Sequence, residues 1–215
     1  MIGRWGATRL MGFQTSFDDP ESSIILDASV AINLIATSIA GQLIDAVPNR
    51  VIVTDVVLDE LKSGHRRGRS DGNSLLKLIE AGRVEVGGLG DTAEQIFESL
   101  VIGDAAETLD DGEAATIAYA VEHNAIALID ERKAIRISGR RYPDLRVSSS
   151  VDLFAHPAVS TSIDRETLSQ AVFGALQVAR MNVLPHRLEW IVELIGLEKA
   201  LQCPSLPSSI RRVDR

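Results

Sequence analysis

Four acidic residues stand where a carboxylate could do more than face solvent: Asp27, Glu60, Glu113 and Asp130. Asp27 follows the apolar run Ser23-Ile24-Ile25-Leu26, and Asp130 follows Ala125-Ile126-Ala127-Leu128-Ile129. Both runs read as strands buried on two faces. Each acid also has a purely structural reading. Aspartate is favoured as an N-cap at strand-to-helix junctions, which would account for Asp27 and Asp130. Asp110-Asp111-Gly112-Glu113 is close to a capping box. Asp59 and Glu60 differ by about 100° around a helix, so one can be solvated while the other turns inward, and the pattern does not choose between them. Four separate caps need four coincidences, whereas one site needs a single cause. Carboxylates gathered at one sheet edge would repel and hold one another protonated unless a cation neutralised them. Oxygen donors suit Mg2+ or Mn2+. Such a centre can activate water and stabilise the leaving oxygen of a phosphodiester.

The elements needed to gather these acids are legible. Val51-Ile52-Val53, Val84-Glu85-Val86 and Leu145-Arg146-Val147 add three further strands. Between strands, helical patterns cover 30–47 (broken near Gly41), a stretch capped by Thr54 or Asp55 and running through Glu60-Leu61, then 70–81, 92–101, 112–123, 132–138 and 151–154. Strands alternating with helices predict an α/β/α fold with a parallel sheet of four or five strands. All strands then point one way, so Asp27 and Asp130 fall on the same edge. In such sheets the active site lies beyond the carboxyl ends of the strands.

Composition narrows the chemistry. The 215 residues hold 45% hydrophobic and 24% charged side chains, as a folded chain does. A lone Cys203 excludes a disulfide framework and any CxxC site. Only nine residues are aromatic, which argues against stacking platforms for single-stranded nucleic acid. Residues 1–22 hold two basic and three acidic groups, 158–215 hold seven and six, and 23–157 hold 13 and 21. The whole net charge of −8 therefore sits in that central body. This disfavours non-specific phosphate binding and suits a cation site. No stretch is long and apolar enough for a membrane span, and no secretory signal follows Met1, so a cytoplasmic location is expected. Gly88-Leu89-Gly90-Asp91-Thr92-Ala93 matches a dinucleotide fingerprint, but it follows a weak strand late in the fold and reads as a turn.

Taken in order, Ile25-Leu26-Asp27-Ala28-Ser29-Val30, Val57-Leu58-Asp59-Glu60-Leu61, Gly112-Glu113-Ala114-Ala115-Thr116-Ile117-Ala118 and Leu128-Ile129-Asp130-Glu131-Arg132-Lys133 carry a resemblance. The chain resembles PIN-domain proteins, the fold of VapC-type toxin ribonucleases and related RNA-processing nucleases. The resemblance implies a metal-dependent ribonuclease that hydrolyses RNA with Mg2+ or Mn2+. It places Asp27, Glu60, Glu113 and Asp130 on the acidic quartet, and Ser29 on the hydroxyl residue that orients a ligand or water. It also implies an antitoxin as a possible protein partner. A catalytically inactive PIN-like binding or regulatory module is the alternative. Glu131 stands where an aspartate is commoner, and the chain is longer than a minimal toxin.

The expected organisation is a loose leader at 1–22, the nuclease domain at 23–157, a helical extension at 158–203 and a tail at 204–215. Basic residues Arg66, Arg67 and Arg69 in a glycine-flanked loop would either be simply solvated or grip the RNA backbone beside the acids. Arg132 and Lys133, with Arg136, Arg140 and Arg141, would form a second basic rim. In the extension, a helix over 165–181 and another over 185–195 form a hairpin. Phe173 and Leu176 lie off the face of Leu168 and Val172, and two apolar faces suggest two partners. A homodimer or an antitoxin complex through this hairpin is the expectation.

Overall fold

The computed structural model describes residues 19–65, 71–208 and 210. Strand β1 (Ile24–Leu26) lies at the centre of a five-stranded sheet and is entirely buried. Helices α1 (Ala28–Ala36) and α2 (Ala40–Ala46) lead to β2 (Val51–Thr54). Helices α3 (Asp55–His65) and α4 (Asp71–Glu80) lead to β3 (Glu85–Gly87). Next come α5 (Asp91–Val101), α6 (Asp111–Glu122) and β4 (Ile126–Leu128), then α7 (Arg132–Arg141), β5 (Arg146–Ser148) and α8 (Ser150–Phe154). The strand order is β3-β2-β1-β4-β5 and every pairing is parallel. The α/β/α architecture expected from the sequence is therefore the one observed.

Alternate strand residues feed opposite layers, as the two-residue period of a strand requires. Ile24, Leu26, Val51, Val53, Ile126 and Leu128 join one hydrophobic cluster, while Ile25, Ile52, Ala127 and Ile129 join the other. The second cluster is closed by α5, α6 and α7 through Leu100, Ile117 and Ile137. Because β1 and β4 are covered on both faces, their sequences run apolar without alternation.

The first cluster reaches beyond the sheet layer into the C-terminal segment. That segment comprises α9 (Pro157–Ser162), α10 (Arg165–Gly174), a π-helical turn (Ala175–Ala179), a 3-10 turn (Pro185–Arg187), α11 (Leu188–Ile195) and α12 (Leu197–Leu201). Leu168, Val172, Leu176, Met181, Ile191 and Ile195 share a core with Ile24, Val30 and Leu34. Packing continues through Leu206 and Ile210. A Cβ on Gly174 would stand 3.2 Å from the Ala36 carbonyl oxygen, so the extension lies backbone-close to α1.

Several boundaries differ from the sequence reading. The first helical stretch breaks at 37–39, where Ser38 takes a φ of 62°, rather than near Gly41. There the Thr37 hydroxyl bonds the Leu34 carbonyl at 2.5 Å and accepts from the Ile39 amide, a local alternative to the helical ladder. The helix expected over 165–181 turns π-helical at Ala175 and stops at Ala179. Leu176 is fully buried in the chain's own core. Phe173 packs partly against that core, with the Lys199 ammonium 5.7 Å from its ring centre. Arg66, Arg67 and Arg69, and the leader up to residue 18, lie outside the described residues. Among the described residues, no single helix is long and apolar enough to cross a membrane.

Candidate active site

The strand order reverses between β1 and β4, which makes the gap beyond their carboxyl ends the switch point of the sheet. Asp27 and Asp130 sit there, each only 3% exposed. The Asp27 amide donates to the Leu128 carbonyl at 3.2 Å, tying the two strand ends together.

Asp27 does serve as the N-cap of α1, and its Oδ2 accepts from the Ser29 amide at 3.3 Å. It also takes the Ser29 hydroxyl at 2.7 Å. Asp130 does not cap α7. Glu131 caps α7 instead, accepting from the Ala134 amide at 2.8 Å. Asp130 is thereby left to a buried polar network. Its Oδ1 accepts the Ser150 amide at 2.8 Å, and its Oδ2 accepts the Ser150 hydroxyl at 2.5 Å and Asn33 Nδ2 at 2.7 Å.

Glu60 and Glu113 arrive from the helices. Thr54 caps α3 by accepting the Val57 amide at 3.2 Å, which starts the helix directly off β2. On α3 the neighbouring acids part company. Asp59 is exposed and pairs with Lys62, while Glu60 turns its carboxylate onto Gly112 of α6. A side chain at Gly112 would collide with Glu60 Oε2 and would lie 3.6 Å from Asp27 Oδ1, so this glycine lets two acids approach. The buried Thr116 hydroxyl reaches the Leu26 carbonyl at 3.5 Å and seats α6 against the end of β1. Asp110 occupies the N-cap position of α6 without a side-chain cap bond, so the expected capping box is not completed.

Electrostatics show that these acids share one field. Burial, then the Asp27 charge, then Glu131 and Asp110, push Glu113 from 4.5 up to about 7. Burial raises Asp130 from 3.8 to about 6 against the pull of Ser150 and Asn33, with Asp27 adding to the rise. Asp27 itself is raised by burial, with Asp110 contributing. Glu60, at the solvent-facing rim, is raised by partial desolvation and then by Asp27, Asp110 and Asp111. Asp27 thus acts on all three of the other acids.

The donor set fits a hard divalent cation by chemistry and charge: carboxylate and hydroxyl oxygens only, with an excess of negative charge. Among the described residues, no three acidic, histidine or cysteine side chains close to ligating distance. A cation among them would reverse the local sign and lower every one of these pKa values.

Arg132 is exposed and Lys133 half-buried at the start of α7. Arg136, Arg140 and Arg141, assigned to the same rim, are instead engaged. They bond the Ala106 carbonyl, Glu107, and the Ser99 carbonyl and hydroxyl respectively. Asn33, Ser150 and Asn182, which donates to the Asp130 carbonyl at 2.7 Å, escaped the sequence reading. Asn33 had a signal: it stands four residues after Ser29, a polar side chain on an otherwise apolar helix face.

A family model described as a PIN domain matches residues 23–153, more than half of the chain. The chain belongs to the PIN-domain family. Among solved structures it is similar to VapBC2 from Rickettsia felis bound to a DNA fragment from their promoter. That match has 16% identity and a TM-score of 0.42, covering 59% of this chain and 97% of that one. No curated protein matches the chain at a significant level.

Proposed function

We propose that this chain is a metal-dependent endoribonuclease acting through Asp27, Glu60, Glu113 and Asp130. The observation that carries the reading is geometric: buried Asp27 and Asp130 stand together at the switch point of the sheet with Glu60 turned toward Asp27 over Gly112, and burial, then the Asp27 charge, raises Glu60 and Glu113. Groups with raised pKa values gathered in this way cluster at functional sites. Asp27 and Asp130 would hold Mg2+ or Mn2+ from the sheet edge, and Glu60 and Glu113 from the flanking helices. The bound cation would supply positive charge to the phosphodiester and a hydroxide from water at neutral pH. The chain's own part is positional. Ser29 is held on Asp27 and can orient a ligand or water, while Asn33 and Ser150 keep Asp130 facing the site. Arg132 and Lys133, and Arg66, Arg67 and Arg69, are proposed contacts for the RNA backbone.

The catalytic unit is proposed at 23–157, with the extension packed on it and the protein acting in the cytoplasm. An antitoxin, or a second copy of the chain, is the proposed protein partner. Cleavage of a labelled single-stranded RNA tests the activity. Turnover with Mn2+ that EDTA abolishes, leaving 5′-phosphate and 3′-hydroxyl ends, supports the reading. Binding without turnover at any divalent cation would return the chain to a regulatory PIN-like module.

A further inference from the structure

The C-terminal extension does more than thicken the core, because it forms one wall of the candidate active site. A cavity of about 250 Å3 opens between the two. Ser29, Asn33, Asp130 and Glu131 line it from the sheet domain, and Arg180 and Asn182 line it from the extension. We propose that Arg180 is a substrate-contacting residue that binds a backbone phosphate of the RNA as it enters the acidic centre. This rests on the ribonuclease reading and adds to it a residue from outside the span matched by the PIN-domain family.

Three observations carry it. Arg180 is exposed, and no hydrogen bond or ion pair holds its side chain to any described residue. Its position is nevertheless fixed. The backbone is left-handed at φ 53° and ψ 40°, a conformation that strains a non-glycine residue. The Arg180 amide bonds the Ala175 carbonyl to close the π-helical turn. On the other side, Met181 is buried at 1% exposure, and Asn182 bonds the Asp130 carbonyl. The chain is therefore clamped on both sides of one strained residue, and the cationic side chain of that residue stands at a cavity that Asp130 and Glu131 also line. A phosphodiester approaching Asp130 and Glu131 meets repulsion that a guanidinium fork at the same cavity offsets, and that fork matches phosphate oxygens in a bidentate manner. The competing account is a cation that only complements the helix C-terminus, which would affect stability alone.

Arg180→Ala, Arg180→Gln and Arg180→Lys decide between these accounts, with thermal melts identifying any variant that fails to fold. The probe is a fluorescein-labelled single-stranded oligoribonucleotide, cleaved with Mn2+ and, separately, bound with Ca2+ across a salt series. In Arg180→Ala and Arg180→Gln we expect KM to rise about tenfold with kcat little changed, and the slope of log affinity against log salt to shrink by about 0.7. Arg180→Lys should restore the slope and part of the KM. If the wild type cleaves RNA and the neutral variants match it in KM and salt slope, or exceed its activity, the assignment of Arg180 is overturned while the ribonuclease reading stands. If the wild type neither cleaves nor binds the oligonucleotide, the ribonuclease reading fails and this assignment falls with it.

Discussion

Asn33 donates from Nδ2 to Asp130 Oδ2 at 2.7 Å, joining the middle of α1 to the junction after β4, 97 residues apart in the chain. The same amide reaches the Ser150 hydroxyl at 3.2 Å, so α1 and the ends of β4 and β5 converge on one buried carboxylate. Burial holds Asp130 at about 6 even with these donors in place.

Asn33→Ala should therefore push Asp130 higher still, because the substitution removes a donor that favours the ionised form. The rise of activity with pH should move to a more alkaline midpoint. Stability should fall by about 1–3 kcal/mol, the cost of leaving buried polar groups short of a partner. A pH–rate profile with a urea titration checks both, and an unmoved profile would count against the network.

Stability of the metal-free protein should fall as pH rises. Glu113 and Asp130 keep their protons to about 7 and about 6, against 4.5 and 3.8 in the unfolded chain. Between those limits the folded state binds more protons than the unfolded one, so raising the pH removes stability. Asp152 and Asp164 are shifted the opposite way and act only below the ordinary aspartate range, outside this window. Melts in EDTA should thus be higher near about pH 5 than near about pH 8, and the gain from added Mn2+ should grow over the same range. A flat EDTA series would mean that the two acids are not strained.

Gly112→Ala separates stability from function. Alanine is the better helix residue by roughly 0.5–1 kcal/mol, so the melting temperature should hold or rise. The added Cβ must drive Glu60 Oε2 aside, away from Asp27. Turnover should fall by about tenfold to a hundredfold, as misplacement of a reacting group does. Full activity in this variant would remove Glu60 from the site.

The sheet was legible because β1 and β4 are short apolar runs that end in aspartate, and the helices between them left clear periodic patterns. The fate of each acid was less so. Asp27 both caps α1 and joins the cluster, whereas at the second junction the cap passed to Glu131, and local sequence makes both arrangements equally good. Choosing between Asp59 and Glu60 required knowing where α6 packs, a long-range fact. The π-helical turn at Ala175 was hidden for the same reason: 165–181 reads as one continuous helix, and the turn falls where the chain packs against α1.

A partly buried ion pair adds to the apolar packing that holds the extension to the sheet domain. Arg187 Nε lies 2.5 Å from Asp152 Oδ1, with the two side chains 20% and 12% exposed. Burial alone would raise the Asp152 pKa, but Ser149 and the Arg187 charge bring it below the ordinary value. Arg187→Ala leaves that carboxylate without its closest cation and should cost about 3 kcal/mol in denaturant titration. Adding Asp152→Asn should recover part of the loss, and a double variant no more stable than the single would argue against the pair.

The central claim is that the four acids form one cation site, and calorimetric titration of Mn2+ into the wild type and Asp27→Asn tests it most directly. Asparagine keeps the N-cap of α1 but removes the charge that acts on the other three acids. The account predicts a binding isotherm for the wild type and at least about a tenfold weaker one for Asp27→Asn, with the metal-free variant no less stable than the wild type. Equal Mn2+ affinity in the two proteins, or a large loss of metal-free stability in the variant, would contradict it and leave Asp27 a helix cap.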